Sequence, residues 1–356
     1  MIEKLKRLDW FLLGGLIFFA VMSLVTIFSS DQVYFWRQFV WYLLSFALII
    51  FGSQFDWRWL IRQSWFRLGL YWLSVAFLIF SNFQAKTIRG TKSWIVVGNF
   101  QFEPAELAKL ALIIILASFF ARRHIGAWQI KNIFTSFVYM IVPTALVLIH
   151  PDLGSTITLV LIWLAFILMS GVNKKRLLIG VAFAIILMAV FWFFVLHPYQ
   201  KDRVLGFLFP TRDPLGINYN VIQSKIAIGS AGFFGKGFGE GTQTKLYFLP
   251  AAKTDFLFAA FVEEWGLFGG LLLLLTFILI IYRLLMSGLR ARDNYSKFIV
   301  LGTGAFLTIH FFINIGSNLG LLPVTGLTLP FFSYGGSNLL TTATLVSIME
   351  NIKIEF

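Results

Sequence analysis

The segment FLPAAKTDFLFAAFVEEWG, residues 248–266, sets Lys253 and Asp255 at the head of a strongly apolar run and Glu263 and Glu264 about two turns further in. A carboxylate inside a bilayer costs on the order of 2.5–3.5 kcal/mol by insertion scales, so one that is retained there needs a partner or a task. Two further segments repeat the pattern. In FEPAELAKL, Pro104 suits a first helical turn, Glu106 lies in that turn, and Lys109 follows three residues on, within pairing reach around the helix. In HPDLGS, Asp152 stands between two apolar runs. Each of these carboxylates alone would serve as a helix cap or a neutralised charge. Together, and in the company of cations, they are a stronger sign of a polar site than any one of them alone.

A membrane must position these groups. Of 356 residues, 58% are hydrophobic, 42 are Phe and only 13% are charged, whereas a soluble domain carries about a quarter charged. Apolar runs long enough to cross about 30 Å of hydrocarbon recur along the whole chain. The expected fold is an all-α polytopic integral membrane protein of about ten transmembrane helices in one domain, residues 1–356. The expected spans are roughly 10–29, 35–53, 66–81, 104–123, 132–149, 155–171, 176–196, 254–282, 297–318 and 333–352. The first run follows Lys4, Lys6 and Arg7, is long, lacks a small-residue cleavage motif and reads as a retained span. There is no Cys, which excludes disulfides, thiolate metal sites and thiol nucleophiles.

Lys and Arg follow spans two, four, six and eight, whereas the short loops after spans one, five and nine carry none apart from Arg37 just inside span two. The positive-inside rule then places both termini in the cytoplasm. Two external loops run against that rule. The loop after span three carries Lys86, Arg89 and Lys92, and the large external loop between spans seven and eight, about 197–253, carries basic residues from Lys201 to Lys253. Long loops translocate regardless of charge, which is one account; an anionic lipid phosphate or diphosphate at the outer leaflet is the other. In this topology Glu106, Asp152 and Asp255 all fall at outer helix ends, in a polar cavity open to the outside.

The remaining polar groups read differently. Glu263 and Glu264 suit a structural or conformational role above a catalytic one, and His310 with Asn314, at i and i+4, suits an interhelical hydrogen bond. The glycine-rich run from Gly229 to Gly241 follows a short apolar segment read as an amphipathic or re-entrant helix. It lacks the Gly-Lys-Ser/Thr and the preceding strand of a nucleotide loop, so its glycines let backbone pass close to a ligand or another helix. Neither nucleotide nor nucleic acid is expected as a ligand.

GTKSWIVVGNFQFEPAELAKL, HPDLGS, GTQTKLYFLPAAKTDFLFAAFVEEWG and GLLPVTGLTLPFFSYGGSNLL resemble, in order and spacing, the motifs of the SEDS family (shape, elongation, division and sporulation). The resemblance covers essentially the whole chain and is strongest to the elongation branch. It implies a peptidoglycan glycosyltransferase of the bacterial cytoplasmic (inner) membrane, with its active site facing the outside. In such enzymes a glycan on undecaprenyl diphosphate is the donor and lipid II the acceptor. The acceptor's N-acetylglucosamine 4-hydroxyl attacks the anomeric carbon, undecaprenyl diphosphate leaves, and inversion produces a β-1,4 linkage.

By that resemblance, Asp255 matches the family's essential aspartate and is expected to be the general base or a ligand of a divalent Mg²⁺ or Mn²⁺. Glu106 and Lys109 match supporting polar positions of the fourth span, with Asp152 beside them. Lys92, Lys245 and Lys253 are candidates for diphosphate contact, and Ser337 for lining the site. Gly335 and Gly336 suit close helix packing, and Asn338 departs from the small residue often found there. Expected partners are lipid II, the undecaprenyl-diphosphate-linked glycan, a class B penicillin-binding protein acting as transpeptidase, and elongation-complex membrane proteins. A lipid II flippase or a non-catalytic scaffold are the rival readings. Transport asks for polar groups spread through the membrane, whereas the strongest cluster here lies at one face, and a scaffold needs no paired charges at a helix mouth.

Overall fold

The computed structural model describes all residues except 1–5, 85, 89–90, 98–99, 124–128, 172–192, 194–197, 212 and 355–356. The expected span 176–196 lies almost wholly outside the described residues; the other nine each coincide with a helix. These are α1 (Trp10–Ser30) and α2 (Gln32–Gly52), then, after the short α3 (Trp57–Arg62), α4 (Ser64–Gln84). They continue as α5 (Pro104–Arg123), α6 (Ile130–Ile149) and α7 (Leu153–Met169). The external loop contributes α8 (Pro198–Leu208), α9 (Tyr219–Ser230) and the single turn α10 (Thr242–Lys245). The chain ends with α11 (Leu257–Arg290), α12 (Asn294–Asn318) and α13 (Gly336–Ile354). Among the described residues seven helices, α1, α2, α4, α5, α6, α11 and α12, are long and apolar enough to cross a membrane, with α7 shorter but apolar.

Aspartates start several of these helices. Asp9, Asp31, Asp56, Asp152 and Asp293 each accept backbone N–H bonds in the first turn that follows them, satisfying donors that would otherwise stay unpaired. Burial then sorts the helices into an inner and an outer set. The apolar stretch of α5 is 89% buried and that of α12 72%, against 22% for α2 and 28% for α6. A side chain on Gly302 of α12 would meet Phe166 of α7 and Ile113 of α5, so the missing Cβ lets the three helices close up. Phe166 stacks on Phe120 and Phe298 in the same layer, at centroid distances of 6.1 and 6.0 Å.

Two features depart from the expected all-helical design. The loop after α4 folds into a three-stranded antiparallel sheet in the order β1 (Lys86–Ile88), β2 (Thr91–Val97) and β3 (Phe100–Phe102). Ile95 faces Phe102 and Val97 faces Phe100; the β-branched residues of TKSWIVV favour such pairing. Helix α11 spans 34 residues, roughly 50 Å at 1.5 Å per residue, but is broken at Gly266, whose φ is 72°. The glycine-rich loop fills the break. Lys236 N and Gly237 N donate to the carbonyls of Glu263 and Glu264 at 3.0 and 3.1 Å, while Leu267 N and Phe268 N donate to Gly232 and Phe233 at 3.1 and 3.0 Å. Backbone groups lost to the helix are thereby satisfied, as burial at membrane depth demands.

The N-terminus is tied to both late helices through Asp9. Arg283 of α11 donates to its carboxylate from Nε and Nη2 at 3.2 and 3.1 Å, Lys353 of α13 donates to Oδ2, and Asp9 N donates to Glu350 Oε2 at 2.9 Å. Burial alone would raise the Asp9 pKa, but the bonds from Arg283, Lys353 and Leu12 N outweigh it and hold the carboxyl below its ordinary 3.8.

Two predictions follow from these contacts. At Gly235 (φ 84°) and Gly266 (φ 72°) an added Cβ would collide with the opposing backbone, whereas Gly229 in α9 has open space. Gly235→Ala or Gly266→Ala should destabilise the protein by about 2 kcal/mol or more, while Gly229→Ala is neutral or slightly stabilising; thermal melting in detergent checks this. Because the folded pKa of Asp9 is depressed, its contribution is present above pH 3.8 and is lost as pH falls through the folded value. The melting gap between wild type and Asp9→Asn should therefore be widest at neutral pH and narrow below pH 3.8.

Candidate active site

Asp255 is half-buried in a turn immediately before α11, not in the helix itself, and Phe256 holds the cap position. The chain is still turning there: Thr254 N and Phe256 N both donate to Ala251 O, at 3.1 and 3.2 Å. Helix α12 holds this turn. Asn314 and Asn318 share a face at i and i+4, and each donates its carboxamide Nδ2 to the Asp255 carbonyl at 2.9 Å. Asn314 Nδ2 also donates to Leu327 O at 2.8 Å. The segment between α12 and α13 is thus drawn over Asp255, and a Cβ on Gly326 would lie 4.0 Å from Asp255 Oδ2.

One turn earlier on α12, His310 continues the chain of contacts. Its Nε2 lies 3.5 Å from Lys109 Nζ and its Nδ1 lies 3.3 Å from Thr328 O. A lysine ammonium only donates, so Nε2 is the acceptor and Nδ1 carries the proton donated to Thr328 O. Lys109 is wholly buried and donates to Glu106 Oε1 at 2.8 Å. The other Glu106 oxygen, Oε2, is buried with no hydrogen-bond partner. The expected use of His310 and Asn314 in interhelical bonding takes this form: both reach loop backbone, and His310 also meets Lys109.

Glu103, which sequence reasoning passed over, is half-buried beside this pair. Its Oε1 accepts from Ser155 Oγ at 3.4 Å, and Ser155 N donates to Asp152 Oδ1 at 3.0 Å. Burial first, then the Glu106 and Asp152 carboxylates, raise the Glu103 pKa well above the usual range, against the pull of Lys109. Its signal lay in FEPAEL, where Glu103 precedes the helix-starting Pro104 and stands at i−3 from Glu106.

The other expected site residues are placed as follows. Lys253 pairs with Asp31, lies 4.7 Å over the Tyr34 ring, and has its carbonyl taken by Tyr334 N. Lys245 makes an exposed pair with Glu240 at 3.6 Å. Ser337 accepts from Glu103 N at 3.1 Å and donates to Gln101 O at 3.2 Å, fastening β3 to the start of α13. Lys92 lies in β2, with its side chain outside the described atoms. Glu263 gathers Lys236 Nζ at 2.8 Å, Gln243 N at 3.0 Å, and bonds from Thr242 and Thr244, closing α10 onto α11. Glu264 accepts from Ser29 Oγ of α1.

Comparison with known proteins matches this architecture. The model of the FtsW, RodA and SpoVE cell cycle proteins covers residues 4–356. The chain is 38% identical over 283 residues to the peptidoglycan glycosyltransferase MrdB of Escherichia coli K12, spanning 80% of this chain and 76% of that one. A solved chain from work on the structural coordination of polymerization and crosslinking by a peptidoglycan synthase complex superposes with a TM-score of 0.83 at 31% identity, covering 98% of both chains. The crystal structure of the rod shape determining protein RodA of Thermus thermophilus superposes with a TM-score of 0.72 at 26% identity, over 97% of this chain and 96% of that one. This multi-pass membrane protein belongs to the FtsW/RodA/SpoVE family, the SEDS proteins.

Proposed function

We propose that the protein is a peptidoglycan glycosyltransferase that polymerises lipid II at the outer face of the membrane and releases undecaprenyl diphosphate, with Asp255 at the reacting centre. The observation that carries this reading is the turn at the head of α11, where Asn314 and Asn318 grip the Asp255 backbone and thereby orient a carboxylate at a helix mouth. Relatives that bear the name peptidoglycan glycosyltransferase support it.

In the proposed step the acceptor 4-hydroxyl oxygen forms a bond to the donor's anomeric carbon as the bond from that carbon to the diphosphate oxygen breaks. The electron pair departs with undecaprenyl diphosphate, and Asp255, as general base, takes the hydroxyl proton. Lys245, held only by an exposed pair, is easily released to meet the diphosphate; Lys253 must first exchange Asp31. Glu106, Lys109 and His310 act from behind, fixing the Thr328 segment that lies over Asp255.

Among the described residues no group of three His, Cys, Asp or Glu side chains is placed to hold a metal ion. A Mg²⁺ or Mn²⁺ would be held by Asp255 together with substrate diphosphate oxygens, a common arrangement for Mg²⁺. Such an ion, when bound, neutralises charge on the leaving group. By the same reading the enzyme works beside a class B penicillin-binding protein and other elongation-complex membrane proteins, with its termini in the cytoplasm.

Two experiments test this. Purified protein given lipid II and a divalent cation should form glycan chains, and Asp255→Ala should lower the rate by at least about 100-fold; normal polymerisation by Asp255→Ala would refute the assignment. For the buried pair, Lys109→Met strands Glu106 without its cation and should cost about 3–5 kcal/mol. Glu106→Gln combined with Lys109→Met should recover much of that stability while activity stays low. Recovery of both would show the pair to be structural only.

A further inference from the structure

A polar cavity is walled by α8, α9 and the turn after α12. It encloses about 330 Å³, and its lining includes Arg203, Asn220, Val221, Lys225, Gly320 and Leu322 and, among the described residues, no Asp or Glu. Its charge is therefore opposite to that of the Glu103, Glu106 and Asp152 cluster. The two cations are positioned from opposite sides. Arg203 Nη1 donates to Val324 O at 3.3 Å, anchoring the guanidinium to the far wall. The Lys225 stem runs over Gly320, where a Cβ would come within 3.2 Å of Lys225 Cδ. Gly320 also has φ +71°, a conformation that favours glycine. Asn220 Oδ1 is buried without a hydrogen-bond partner, and an unsatisfied acceptor of this kind calls for a donor. Val221 and Leu322 supply apolar wall.

We propose that this cavity binds a lipid headgroup that joins a phosphate to a hydroxyl-bearing part. Arg203 and Lys225 take the phosphate, Asn220 accepts from a hydroxyl, and the apolar wall meets the carbon chain. Arginine forks suit phosphate geometry, and a lysine ammonium adds a compact charge. Either a bulk anionic phospholipid or the diphosphate lipid of the proposed reaction offers this chemistry. The inference takes only its outward orientation from that reaction, and its test needs no turnover, so the two fail separately.

The test measures equilibrium binding to full-length protein in phosphatidylcholine nanodiscs without added divalent cation, using phosphatidylglycerol, lipid II and inorganic phosphate as probes. Wild type should bind at least one lipid probe, and Lys225→Gln should weaken that binding about 10-fold or more, with a further loss on adding Arg203→Gln. Preference for phosphatidylglycerol would identify a bulk-lipid site, and preference for lipid II a substrate-lipid site. Because Arg203 also anchors a wall, Lys225→Gln, at an exposed position, is the deciding variant, and its melting temperature should match wild type. The proposal is overturned if no lipid probe binds wild type, if only inorganic phosphate binds, or if Lys225→Gln binds every probe within twofold of wild type.

Discussion

Lys109 has no exposed surface, and an ammonium taken out of water loses several kcal/mol of hydration unless oppositely charged and polar neighbours replace it. That constraint organises the inner half of the molecule. Glu106 must lie one turn away on the same helix, and α12 must approach closely enough for His310 to reach the pair. Once His310 is committed to Lys109, its other nitrogen is directed to Thr328 O, so the segment after α12 is located by the same contacts. Asn314 and Asn318 extend the row toward Asp255 and Leu327. A single face of α12 thereby connects the buried ion pair to the carboxylate at the head of α11.

A second constraint comes from the broken helix. Interrupting α11 at Gly266 frees backbone groups that cannot be left unpaired at membrane depth, and the external loop supplies partners through residues 232–237. Glu263 then collects the start of α10, from which the chain runs directly into the Asp255 turn. Leu249, Ala252 and Phe256 of that turn pack with Ala227 of α9 and with Ala259 and Ala260 of α11 in a small apolar cluster of their own. The Asp255 backbone is thus held on one side by carboxamides and on the other by packing. Such support from rigid elements is what a group acting on a bound sugar requires.

Much of this was legible in the residues alone. Since crossing hydrocarbon imposes a length on any span, apolar run length located nine helices, eight of them within a few residues at both ends, while α11 runs eight residues past its expected end. The i, i+3 spacing of Glu106 and Lys109 announced their pairing, because helical geometry makes them neighbours whatever the rest of the chain does. Asp255 stood out as a carboxylate at a helix mouth. The structural role given to Glu263 and Glu264 agrees with bonds to α10 and Ser29, and Glu263 takes its cation, Lys236, from the external loop.

What only the tertiary structure decided is which distant groups meet. Lys253 and Lys245 look alike in the sequence, yet one is paired with Asp31 over an aromatic ring and the other with an exposed glutamate. Ser337 is tied to Glu103 N and to Gln101 of β3, a strand hidden by a loop too short to show a clear period. Glu103 drew no notice because its environment is assembled by Ser155 and Asp152 from another helix. Local spacing constrains neighbours within a turn or two. Long-range pairing depends on the close approach of α5, α7 and α12, which rests on a missing side chain at Gly302 and on desolvation costs that arise only when the helices are packed together.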